Sequence, residues 1–73
     1  MDSYKQKKIG NNLKTLRISY GYTQSQVAGM LSMSRQTYLR YESGNIIPRI
    51  DVIIDLAELY SLQTDKLLIY LQA

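Results

Sequence analysis

The sequence predicts an all-α domain of five short helices. Three observations carry that expectation. Apolar residues recur at spacings of three and four, and nowhere alternate cleanly enough for a strand. Thr23 and Ser34, both good N-cap residues, stand just ahead of two of these runs. Four glycines and a single proline punctuate the chain between them. At 73 residues, the chain is expected to form one domain over residues 1–73. A domain of this size buries only about 60% of its unfolded surface, so its stability is expected to be modest.

The first helix is expected from about Lys5 to Ser19, because Ile9, Leu13 and Leu16 form an apolar stripe of helical period. Gly21 supplies the reversal after it. The second helix opens at Thr23, and Gln26 three residues on completes a capping box. Tyr22 ahead of the cap is placed to pack on Val27, and Val27, Ala28 and Leu31 form the buried face. The helical pattern then breaks at Ser32-Met33-Ser34. Ser34 caps a third helix that runs to Glu42 or Ser43, where Gly44 ends it. "GNIIPR" is irregular, since Pro48 keeps Ile47 out of a helix. A fourth helix runs from about Ile50 to Tyr60, with Ile50, Ile53, Ile54, Ala57 and Tyr60 toward the core. A short fifth is expected near Thr64 to Leu71, with Leu67 and Leu68 inward.

Composition narrows the function. The chain has no cysteine and no histidine. The common nucleophile–base pairs and zinc sites therefore cannot be built, and no catalytic residue is expected. Asp51, Asp55 and Glu58 lie at helical spacing, but three carboxylates on one helix read as a solvated outer face, so no metal or other cofactor is expected. The N-terminal "MDSYKQKKIG" is polar and leads into no signal-like apolar run. No stretch approaches the roughly 18 apolar residues of a membrane span. A soluble, cytoplasmic protein without a membrane partner is expected. The net charge of +3 is unevenly placed. Lys5, Lys7, Lys8, Lys14 and Arg17 face only Asp2 in the first 17 residues, whereas the acidic residues gather after residue 50. That asymmetry suits a domain with one face for an anion. The run Lys5, Lys7, Lys8 itself reads as a solvated face that can add backbone contacts.

At about 100° per residue, the third helix sorts its side chains. Tyr38 and Tyr41 share one face; Gln36 and Arg40 share roughly the opposite one, with Arg35 and Leu39 to one side and Thr37 to the other. One face carries aromatic bulk for a core. The other carries guanidinium and amide groups, whose donors and acceptors match base edges in a DNA major groove: arginine to guanine, glutamine to adenine. The break at Ser32–Ser34 then becomes a tight turn between two crossed helices, as in a helix-turn-helix.

The segment "TQSQVAGMLSMSRQTYLRYESGNIIP" resembles the helix-turn-helix of the phage repressor and Cro-like (XRE) family. Gln24 opens the second helix and Ala28 is its small contact residue. Val27, Leu31, Met33, Tyr38 and Tyr41 fill the motif's apolar positions, and Glu42-Ser43-Gly44 followed by Pro48 resembles the family's E-x-G-x-x-x-P. With "IGNNLKTLRISYGYTQ" before it and "IDVIIDLAELYSLQTDKLL" after it, the resemblance covers about residues 8–69. It implies a five-helix, lambda-repressor-like DNA-binding domain with its helix-turn-helix at helices two and three. In two places the chain departs from the pattern. Ser32 stands where the family usually has a glycine in a left-handed turn, at a cost of about 1 kcal/mol. Arg49 stands where a Ser or Thr often caps the fourth helix.

The resemblance implies a sequence-specific regulator of transcription that binds a double-stranded DNA operator, acting as a repressor with Ser34–Glu42 in the major groove. Arg35, Gln36 and Arg40 are the candidate base contacts. Gln24, Ser34, Thr37, Ser43 and Asn45 are the candidate backbone contacts, Gln24 helped by the positive end of its helix. Arg17 and Glu42 are expected to form a structural ion pair. A homodimer, at least on DNA, follows from the small footprint of one module. Ile69 and Leu71 in "LLIYLQA" are candidates for its contact. No small-molecule ligand is expected. Two other readings use the same residues: an antitoxin that also binds a toxin, and a helical module that offers Arg35 and Arg40 to an acidic protein.

Overall fold

The computed structural model describes residues 3–61 and Leu67. Among these residues the secondary structure is wholly helical: α1 Ser3–Ser19, α2 Gln24–Met30, α3 Arg35–Ser43 and α4 Ile50–Leu59. The all-α expectation holds. The expected fifth helix lies outside the described residues except for Leu67, which is helical and fully buried.

The caps explain the boundaries. Thr23 Oγ1 accepts the Gln26 backbone N–H at 3.1 Å while the Thr23 N–H donates to Gln26 Oε1 at 2.8 Å, so the capping box is complete. Ser34 Oγ likewise accepts the Thr37 N–H at 3.1 Å. Arg49 caps α4 in extended backbone without a side-chain hydrogen bond.

Three helix ends share one device, in which the N–H of a left-handed residue and that of the residue after it close back on the last turn. After α1 it is Gly21, with Tyr22 N–H to Arg17 O. After α3 it is Gly44 (φ +82°), with Asn45 N–H to Arg40 O at 3.0 Å. After α2 it is Ser32 (φ +57°), with Met33 N–H to Ala28 O at 2.9 Å and Ser32 N–H to Gly29 O at 3.1 Å. The turn that sets α3 against α2 therefore keeps the glycine geometry although its residue is a serine.

Leu13, Leu16, Val27, Ala28, Tyr38, Tyr41, Ile53, Leu56, Ala57, Tyr60 and Leu67 form the core, and α3 packs on both α1 and α2. Tyr22 is half-buried, its ring beside those of Tyr20 and Tyr60. Leu31 is only half-buried. The inward face of α4 differs from the expected one. Ile53, Ala57 and Tyr60 are buried, but Ile50 and Ile54 are 60% and 42% exposed, and Leu56 takes the inner position instead. The expected face was rotated by about 50°, half of one residue step.

Gly10 lies inside α1 at the closest approach of two helices. A Cβ there would fall 2.4 Å from the Glu42 carbonyl oxygen and 2.6 Å from that of Tyr41. Gly10→Ala gains about 1 kcal/mol of helix propensity, but both clashing atoms are backbone, so the last turn of α3 must shift. Overpacking of this kind costs about 1–3 kcal/mol, and the upper end applies. We expect Gly10→Ala to lower the thermal midpoint, whereas Gly29→Ala, in α2 with open space around it, raises it or leaves it unchanged. Equal midpoints would show that α1 and α3 are not so tightly apposed.

Candidate nucleic-acid interface

Helix α3 divides its residues between two surroundings. Tyr38, Tyr41 and Glu42 are at most 7% exposed, and the rings of Tyr38 and Tyr41 meet edge to face. Arg35, Gln36 and Arg40 are exposed; Thr37 and Leu39 are half-buried at the border. The Tyr side chains fix the helix to the core, and so determine which way the polar residues project. Gln36 and Arg40 have no side-chain partner among the described residues. Their donors and acceptors remain open, which is the chemistry that reading a base edge requires.

Arg35 is held differently. Its Nη2 donates to Gln24 Oε1 at 3.0 Å, and Gln24 Nε2 donates to Glu42 Oε1 at 3.1 Å. Glu42 in turn accepts from Arg17, Nε to Oε2 at 2.7 Å and Nη2 to Oε1 at 3.3 Å, while Arg17 Nη1 donates to Tyr22 O at 2.8 Å. Four side chains thus form one relay from a buried ion pair to an exposed arginine. The side chains of the ion pair are only 10% and 3% exposed. Burial works against the Glu42 charge, but hydrogen bonds from Arg17 and Gln24 and the arginine's charge outweigh it, so the carboxyl lies below its ordinary value. The Glu42 hydrogen bond, opposed by burial and aided by the carboxylate charge, moves Arg17 further up. Burial, then the neighbouring carboxylate, raises the Tyr38 hydroxyl. At neutral pH the pair is fully charged and the tyrosine neutral.

The other candidates fall into local groups. Ser34 Oγ donates to Thr37 Oγ1 at 2.9 Å, so these two hydroxyls pair at the start of α3. Ser43 Oγ donates to Arg40 O at 3.2 Å at its end, with Asn45 exposed just beyond. Gln24 belongs to the relay rather than standing alone at the first turn of α2. The sequence offered no sign of that bridge, which depends on the angle at which α2 meets α3. Gly10 does not stand out in the apolar pattern, although an isolated glycine inside a helical pattern commonly marks a close packing contact. Asp51, Asp55 and Glu58 are all exposed on α4. Among the described residues, no group of three acidic side chains could hold a metal ion, and no helix is long and apolar enough to cross a membrane.

A family model described as "Helix-turn-helix" matches residues 13–67, three-quarters of the chain. The chain is 37% identical over 60 residues to the SPbeta prophage-derived uncharacterized HTH-type transcriptional regulator YonR of Bacillus subtilis, covering 82% of this chain and 56% of that protein. It is 35% identical over 60 residues to the HTH-type transcriptional regulator ImmR of the same organism, covering 82% and 47%. A Pyrococcus furiosus protein provisionally named an HTH-type transcriptional regulatory protein is 43% identical over 51 residues, or 70% of this chain and 16% of its own length. The chain thus spans about half the length of the Bacillus relatives it matches and far less of the archaeal one. No solved structure matches at a comparable level. A buried tyrosine face, a polar outer face, a left-handed turn joining α2 to α3 and a family match that takes in all three place this chain in the helix-turn-helix family.

Proposed function

We propose that the chain acts as a repressor at a specific double-stranded operator, with α3 seated in the major groove. The observation that carries this reading is the division of α3, where Arg35, Gln36 and Arg40 project from a helix clamped by Tyr38, Tyr41 and Glu42. In that seat, the three outward residues read base edges. Gln24, Ser34, Thr37, Ser43 and Asn45, at the ends of α2 and α3, hold phosphates on either side. One module buries only about 600–1,000 Å² on DNA, too little for tight binding alone. Two copies on a palindrome, with half-sites about 34–36 Å apart, supply the remainder. The prophage origin of one relative fits a regulator of a bacterium or mobile element that works in the cytoplasm.

Binding to mixed-sequence duplex DNA tests the reading. Affinity is expected to fall steeply between about 50 and 200 mM salt, because each phosphate neutralised by Lys or Arg adds about 0.9 to the log–log slope. A flat salt dependence, or no binding at all, would exclude DNA as the partner of this face.

A further inference from the structure

The lysines that open α1 look alike in sequence but differ in the fold. Lys7 lies directly against the turn that ends α3. A Cβ on Gly44 would fall 2.8 Å from Lys7 Cα and 3.0 Å from its Cγ. Gly10, one turn along α1, meets the Glu42 and Tyr41 carbonyls in the same way. The Lys7–Gly10 turn is therefore docked on the C-terminal end of α3, and the left-handed Gly44 permits the contact. Lys7 is nonetheless exposed, as are Ser43 and Asn45 on either side of Gly44. Lys8, also exposed, is turned about 100° away around the helix.

We propose that Lys7 is a DNA-backbone contact. Its ammonium neutralises a phosphate beside the one held at Ser43 and Asn45, which extends the interface from α2 and α3 onto α1. A lysine suits this place because its flexible stem can lie along the turn while its charge stays in solvent. The proposal rests on the seating of α3 in the major groove described above. The competing role for this lysine is purely internal, offsetting the negative end of the α3 dipole. That role changes stability and leaves DNA binding alone.

Affinity of the full chain for one mixed-sequence DNA duplex, measured across about 50–200 mM salt, separates these possibilities. Lys7→Gln keeps most of the stem and removes the charge. It is expected to lower the log–log salt slope by about 0.9 and the affinity about five- to tenfold near 0.1 M salt, with the preferred sequence unchanged. Lys8→Gln, with the same change in net charge, is expected to keep the wild-type slope. Equal losses in the two variants would reduce the effect to net charge and overturn the proposal. An unchanged slope in Lys7→Gln accompanied by a lower thermal midpoint would assign the lysine to the α3 dipole and overturn it as well. Failure of the wild-type chain to bind duplex DNA would remove the seating of α3 itself, an outcome distinct from a wild type that binds while Lys7→Gln matches it.

Discussion

Glu42→Ala is expected to lower the thermal midpoint by more than 10 °C relative to wild type, while Arg40→Ala, two residues earlier on the same helix, leaves it within a few degrees. Glu42 accepts three hydrogen bonds, two from Arg17 and one from Gln24. Removing its carboxylate leaves the Arg17 guanidinium buried with, among the described residues, only the Tyr22 carbonyl as partner. Breaking one half of a buried ion pair costs about 3–5 kcal/mol. The total stability of a domain this size is about 4–11 kcal/mol, so the loss is a large share of it. Arg40 is exposed, and the hydrogen bond it receives from Ser43 goes to its backbone, which the substitution leaves in place. Acid gives the same contrast a second readout. A carboxyl held below its ordinary value of 4.5 contributes stability that is fully present above that pH and is lost as pH falls through the lowered value. The raised Arg17 loses its contribution only in strong alkali and adds nothing to the acid limb. Wild type is therefore expected to lose stability below about pH 4.5 more steeply than Glu42→Gln. Equal midpoints for Glu42→Ala and Arg40→Ala, or parallel acid limbs, would mean that the pair does not hold α3 to α1.

The chain announces its helix ends plainly because caps are local chemistry. Thr23 with Gln26, Ser34, Gly21 and Gly44 each act on backbone groups within a few residues, so their spacing is sufficient to identify them. Faces are harder to read. The tyrosine face of α3 was legible because Tyr38 and Tyr41 oppose Gln36 and Arg40, and only Leu39 and Thr37 lie at the border. Helix α4 is apolar around most of its circumference, and Asp51, Asp55 and Glu58 exclude only one arc. With Ile50, Val52, Ile53, Ile54, Leu56 and Leu59 all eligible, the inner face is set by the partner helices, and a pattern count placed it about 50° off. The Arg17–Glu42 contact was accessible only through the family resemblance, since no local rule joins residues 25 apart. The bridge through Gln24 was not accessible at all.

Replacing Arg35, Gln36 and Arg40 together with alanine is expected to abolish sequence preference while leaving the fold intact. All three are exposed, so the thermal midpoint stays within a few degrees of wild type. A well-formed bidentate base contact is worth about 1–3 kcal/mol of discrimination. Three of them account for about 3–9 kcal/mol, a range that overlaps the whole gap of about 4–10 kcal/mol between specific and non-specific binding. Repeated selection from a random duplex pool is expected to return a defined half-site for wild type and no consensus for the triple variant. The single variants divide the effect. Gln36→Ala and Arg40→Ala each remove a side chain that has no protein partner among the described residues, so each is expected to relax one or two base positions. Arg35 enters the groove already tied to Gln24, and through it to the buried Glu42. An arginine held in one orientation loses less freedom on meeting a base than a free one, because fewer rotamers remain to be frozen. Arg35→Ala is therefore expected to cost the most affinity of the three. A half-site that survives the triple substitution would move base recognition away from the outer face of α3.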